Sequence, residues 1–75
     1  MSDAELLTMA SERLLGRVVL VPFPPLSYGV RGQVMAVKMD TQFTRCPVVV
    51  VQGLNARFVA ILFAEMVLRE CSIVG

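Results

Sequence analysis

The chain has few residues suited to catalysis, and they do not occur in catalytic patterns. It contains no histidine, so the commonest general base and the usual metal ligand are both missing. The acids Asp40, Glu65 and Glu70 do not form a spaced pair. The candidate nucleophiles have no base near them in the sequence; they are Ser11, Ser27, Ser72 and two cysteines. There is also no glycine-rich phosphate-binding motif. We therefore expect a protein that is not an enzyme and that has no cofactor and no small-molecule substrate.

The two cysteines, Cys46 and Cys71, stand 25 residues apart and form no CxxC pair. Without histidine, a zinc site would need four cysteine or carboxylate ligands, and the chain does not supply them in a suitable pattern. We expect no metal site. Both thiols are interpreted as small, buried, reduced side chains, as is usual in the cytoplasm.

Basic residues outnumber acidic ones after the first 16 residues. From Arg17 onward there are six bases and three acids, a net charge of +3. Basic side chains that meet on one face neutralise the phosphates of nucleic acids. The candidates for this role are Arg31, Lys38 and Arg45. The alternative is that the charges are spread out and only keep an apolar protein soluble.

Aromatic residues bear on the same question, because proteins that bind single strands stack bases on exposed aromatic side chains. Tyr28 and Phe43 fall in predicted loops and suit this role. Phe58 and Phe63 fall in apolar segments, and we expect them in the core. The run Pro22-Phe23-Pro24-Pro25 has the spacing of a polyproline ligand, but a stiff loop between two strands has the same composition.

The elements that must position these residues begin with a predicted helix over residues 2–15. Ser2 and Glu5 have the spacing of a capping box, and Gly16 is placed to end the helix in the left-handed conformation. One side of the predicted helix is apolar, with Leu6, Leu7, Ala10, Leu14 and Met9.

From residue 17 onward the pattern predicts strands. They cover about residues 17–23, 30–39, 46–52, 57–62 and 66–72. The prolines after residue 21 end the first strand, and Gly32 marks a bend or bulge in the second. The gaps are too short for crossovers, so neighbouring strands must be antiparallel. We predict a mainly β chain with one N-terminal helix and a small, five-stranded, antiparallel bent barrel, as one domain over residues 1–75.

Part of this pattern resembles a known family. The segment Leu14-Leu15-Gly16-Arg17-Val18-Val19-Leu20-Val21, followed by a loop and Gly29-Val30-Arg31-Gly32-Gln33-Val34, resembles the first half of an Sm-like protein. Asp40-Thr41-Gln42-Phe43 is similar to the acidic and aromatic loop of bacterial host-factor-type Sm proteins. The resemblance covers about residues 2–45 in pattern and the rest in strand order alone. In place of the family's RNA loop between the last two strands stands Ile61-Leu62-Phe63-Ala64.

The resemblance implies a bent barrel whose copies close into a ring through their edge strands and bind RNA near the pore. The base-stacking aromatic of the family corresponds to Phe43, and its polar neighbour corresponds to Gln42. A plain SH3-like barrel shares the strand order, with a one-turn helix at Phe63-Ala64-Glu65 before the last strand. That alternative is a structural or protein-interaction module rather than an RNA-binding protein.

The strands carry apolar residues on both faces, as in Val48-Val49-Val50-Val51, although 75 residues bury a limited core. We therefore expect a homo-oligomer. The longest stretch without charge, residues 18–30, contains three prolines and is shorter than the roughly 20 residues of a membrane span. No basic segment precedes an apolar one at the start of the chain, so we expect no signal peptide and a cytoplasmic protein.

Overall fold

Five antiparallel strands form one sheet, and two helices pack on one side of it. The computed structural model describes residues 2–22, 29–54 and 57–75. The elements in chain order are α1 (Asp3–Leu14), β1 (Val18–Pro22), β2 (Gly29–Met39), β3 (Pro47–Gly53), β4 (Val59–Phe63), α2 (Ala64–Glu70) and β5 (Ser72–Ile73). The predicted mainly β chain with five antiparallel strands is confirmed. The expected loop that contains Tyr28 lies outside the described residues.

The strand order is β4-β3-β2-β1-β5, so that β4 and β5 are the two edges of the sheet. No pairing joins β4 to β5 in the part of the chain that the structure describes. The sheet is therefore open, and the predicted closure into a barrel is not confirmed.

Helix α1 spans Asp3–Leu14, one residue shorter at each end than the predicted range 2–15, with Ser2 as its N-cap. The Ser2 side-chain oxygen accepts a hydrogen bond from the Glu5 backbone N–H at 3.2 Å, which satisfies one of the amides left open at a helix start. Gly16, with φ of +79°, takes the left-handed conformation just after the helix. The buried residues of α1 are Ala10 and Leu14, which face the sheet.

The prediction of a strand over residues 66–72 is wrong, because residues 64–70 form helix α2. Ala64 and Val67, three residues apart, are both fully buried, as the inner side of a helix requires. Glu65 and Arg69, four residues apart, form an exposed ion pair at 3.9 Å. The last strand, β5, contains only Ser72–Ile73, and it pairs with β1.

The core lies between the helices and one face of the sheet, which we call the inner face. Its fully buried strand residues include Val19, Val34, Val49 and Val51. A Cβ atom at Gly32 would overlap the Val51 side chain, so this position serves close packing. The irregularity predicted for Gly32 occurs two residues later, as a shift of register between Val34 and Ala36. The opposite side of the sheet is called the outer face below.

Candidate nucleic-acid interface

The connection between β2 and β3 is a tight turn organised by one carboxylate. Oδ1 of Asp40 accepts hydrogen bonds from the backbone N–H groups of Gln42 and Phe43, at 3.2 and 3.3 Å. Its Oδ2 accepts from the backbone N–H and the hydroxyl of Thr44, at 3.0 and 2.9 Å. The Asp40 N–H donates to the carbonyl oxygen of Cys46 at 3.0 Å, which closes the loop. We call residues 40–46 the Asp40 turn.

These hydrogen bonds change the acidity of Asp40. The N–H and hydroxyl of Thr44, in that order, make the largest contributions that lower the pKa of this carboxyl, and the N–H groups of Phe43 and Gln42 add to them. Each donor stabilises the ionised form, so the turn favours the charged carboxylate. The Asp40 turn is therefore held in one conformation at neutral pH by four hydrogen bonds to one side chain.

The Asp40 turn presents three of the predicted binding residues to solvent. Phe43 is 86% exposed, the largest exposed fraction among the large apolar side chains in the described parts of the chain. Gln42 and Arg45 are also exposed, and Arg45 has a backbone φ of +55°. Lys38, a fourth candidate, is exposed near the end of β2, two residues before Asp40. The fold thus groups Lys38, Gln42, Phe43 and Arg45 at one end of the sheet.

Arg31 is not part of this group. It lies near the start of β2, opposite Leu20 of β1, and Lys38 is seven positions further along the same strand. At about 3.3 Å per residue, this places the two basic residues about 20 Å apart. The carbonyl oxygen of Arg31 accepts from the N–H of Leu54, and the neighbouring Gly53 N–H donates to Phe58. Arg31 therefore shares the other end of the sheet with Arg57.

A second feature, which was not predicted from the sequence, is an exposed apolar row on edge strand β4. Val59, Ile61 and Phe63 are 68%, 62% and 50% exposed, and alternate positions place them together on the outer face. The prediction that Phe63 lies in the core is therefore wrong. The signal was present as a strand with no polar residue, but such a strand does not indicate which face is covered.

The two cysteines are free and half-buried rather than fully buried. Burial raises the pKa of the Cys71 thiol, and the neighbouring Glu70 carboxylate adds to this effect. In the described ranges, no group of three or more Cys, Asp or Glu side chains is close enough to hold a metal ion.

A shallow groove lies between the helices and is lined by Leu6, Met9, Arg13, Glu65, Leu68 and Arg69. Its walls are mainly aliphatic, with an arginine from each helix and the carboxylate of Glu65.

The chain was compared with protein-family models, with curated proteins and with solved structures, and none of them matched. No helix in the described parts is long and apolar enough to cross a membrane.

Proposed function

We propose that this chain is a non-enzymatic, cytoplasmic protein of the Sm-like type that binds single-stranded RNA through the Asp40 turn and associates with copies of itself. The observation that carries the proposal is Phe43, which is 86% exposed on a turn whose backbone is fixed by hydrogen bonds. A base that stacks on an aromatic ring contributes about 1–3 kcal/mol to binding.

The rigidity of the Asp40 turn favours such a role. A loop that is ordered before binding does not lose conformational entropy when its partner arrives, so more of the contact energy appears as affinity. The Asp40 carboxylate keeps its negative charge, and its four hydrogen bonds direct it to the groups of the turn itself. Lys38 and Arg45 add positive charge at the same end of the sheet, and Gln42 has an exposed amide that can form hydrogen bonds to a base edge.

Arg31 has a different part in this proposal. Because it lies at the far end of β2, it contacts nucleic acid only if the strand extends along the sheet or reaches another copy of the chain. An RNA strand must therefore span a gap of about 20 Å to contact both ends of β2.

The small bent barrel remains part of the proposal. Support comes from the antiparallel order of all five strands and from the shift of register in β2, since such bulges bend and twist a strand. The proposed barrel is bent but not closed, so β4 and β5 stay the two edges of the sheet.

A second candidate function is a protein-interaction module of SH3-like type. Two observations favour it: the exposed apolar row on β4, and helix α2 at the place where the SH3-like alternative expects a short helix before the last strand. In this case, the basic residues only keep the protein soluble.

A titration with fluorescent mixed-sequence RNA 12-mers at low salt separates the two functions. RNA binding predicts an affinity that falls steeply with salt and that drops when Phe43 and Arg45 are replaced together. We would use Phe43→Ala with Arg45→Asn, because asparagine tolerates the positive φ at this position. Arg13→Asn with Leu15→Ala is the matched control, since both residues are exposed at the end of α1. Absence of binding would leave the interaction module as the function.

A further inference from the structure

The backbone of β4 has its open hydrogen-bonding groups on the same residues that expose apolar side chains. The Gly53 N–H donates to the Phe58 carbonyl oxygen at 2.9 Å, in the same register that pairs β3 with β4. Bonded pairs alternate along an antiparallel ladder, so the next bonded residues of β4 are Ala60 and Leu62. Val59 and Ile61 therefore direct their N–H and C=O groups away from β3, toward the free edge, and Phe63 directs its N–H there. The Phe63 C=O belongs to the start of α2, because Phe63 is the N-cap of that helix.

The sequence around Ile61 is complementary to itself when it is read in the opposite direction. In an antiparallel pair centred on Ile61, this residue faces its own copy and Val59 faces Phe63 of the second chain. All of these side chains lie on the outer face, and each is at least half exposed. Apolar cross-strand pairs of this kind stabilise a sheet.

Charge complementarity extends this match beyond the strand. Arg57 lies four residues before Ile61, and Glu65 lies four residues after it. Both are exposed. An antiparallel pair centred on Ile61 places Arg57 of one chain beside the end of β4 of the other, where Glu65 lies in the first turn of α2. The two-fold symmetry produces this approach twice. The ion pair between Glu65 and Arg69 within one chain is long and exposed, so it competes only weakly with an ion pair between Glu65 and Arg57 of the second chain.

From this we infer that two copies of the chain pair antiparallel through β4, with a two-fold axis at Ile61, to form one continuous sheet. This rests on the proposed self-association and specifies its geometry. About four backbone hydrogen bonds form: two between the Ile61 residues, and one from each Phe63 N–H to a Val59 carbonyl oxygen. A ring requires β4 to pair with β5 of another copy. Because β5 has only two residues, that pairing would leave more backbone N–H and C=O groups of β4 without a hydrogen bond.

A cysteine at position 61 tests the axis directly. Bonded residues in an antiparallel pair have Cα atoms about 5.5 Å apart, within the range of a disulfide. In a Cys46→Ala, Cys71→Ala background, we expect Ile61→Cys to form a covalent dimer under mild oxidation. Met35→Cys is the control, because Met35 is 52% exposed but lies on β2, two strands from the edge. We expect it to stay monomeric on a non-reducing gel.

Charge reversal provides a second test that does not depend on the cysteine variants. Arg57→Glu and Glu65→Arg should each weaken self-association, since each places like charges together at both ends of the pair. Mixing the two variants restores both contacts, so native mass spectrometry of one ¹⁵N-labelled partner should show about fivefold more heterodimer than random pairing. Circular dichroism checks that each variant is folded.

The outcomes distinguish this geometry from self-association in general. An oligomer by sedimentation that fails to crosslink at position 61, or that crosslinks at position 35, overturns the β4 pair while self-association stands. A protein that is a folded monomer at high concentration and also after 100-fold dilution overturns both the β4 pair and the proposed self-association. RNA binding is measured separately on the same samples. Its presence or loss does not decide whether the chain self-associates or whether it does so through β4.

Discussion

The Asp40 turn and the β4 edge differ in how their backbone hydrogen-bonding groups are satisfied. In the Asp40 turn, a side chain satisfies the backbone N–H groups of residues 42–44, and one aromatic ring is left exposed. On β4, the apolar side chains form a row and the edge backbone has no partner strand among the described residues. The first surface is suited to recognition by side chains, and the second to recognition by the main chain.

An exposed apolar side chain has a different consequence in the Asp40 turn and on β4. A lone exposed aromatic residue on a rigid loop adds little to self-association, because its neighbours are polar. A row of three apolar residues beside open backbone groups is an aggregation hazard unless a partner covers it. We therefore expect changes at β4 to affect assembly and changes in the turn to affect ligand binding, with little exchange between the two.

The largest effect is expected from Ile61→Lys, which places a charge at the proposed two-fold axis. Burial of an isoleucine side chain contributes about 1.5–3 kcal/mol, and the pair contains two of them. The dimer should weaken by more than about 100-fold in sedimentation equilibrium. Leu15→Lys, at a residue that is 51% exposed after α1, should leave assembly unchanged. Equal effects of the two substitutions would remove the special role of β4.

The next effect is expected from Phe43→Ala. Loss of one base stack should weaken RNA binding by about 10- to 100-fold, as measured by fluorescence anisotropy. Because Phe43 is 86% exposed, its removal should change the free energy of unfolding by less than about 0.5 kcal/mol. Sedimentation should be unaffected. A variant that loses both RNA binding and assembly would show that the two surfaces are not independent.

A smaller effect is expected when Arg45 is replaced by Asn. One phosphate contact on a single strand contributes about 0.7 to the slope of log K against log salt concentration, so the slope should fall by about that amount. The matched replacement Arg69→Asn, on α2, should leave the slope unchanged. An unchanged slope in Arg45→Asn would exclude this residue from the phosphate contacts.

The smallest effect concerns acid. Because the pKa of Asp40 is lowered in the folded turn, its contribution to stability is complete above the ordinary value near 3.8 and is lost as the pH falls through the lower folded value. The backbone amide signals of Phe43 and Thr44 should therefore be constant from pH 8 to pH 5 and should move below about pH 4. Asp40→Asn should abolish this acid transition.

Much of the fold could be predicted because its signals are local. The cap at Ser2 and the left-handed Gly16 require nothing beyond neighbouring residues, and the first four strands follow from apolar runs between polar or proline-containing segments. Helix α2 also had local signals. Ala64 and Val67 have helical spacing, and Glu65 and Arg69 are four residues apart, but an apolar run of this length fits a strand equally well.

One part of the candidate site could be predicted from the sequence alone: the polar loop with Phe43 and the basic residues near it. Residues that are close in the chain stay close in space. The sequence could not place Arg31, since the separation between Arg31 and Lys38 depends on both lying at opposite ends of one strand. It also could not show that β4 is an edge or that Val59, Ile61 and Phe63 face outward. An all-apolar strand carries no mark of which side is covered, and that choice is made only when the helices pack on the other face.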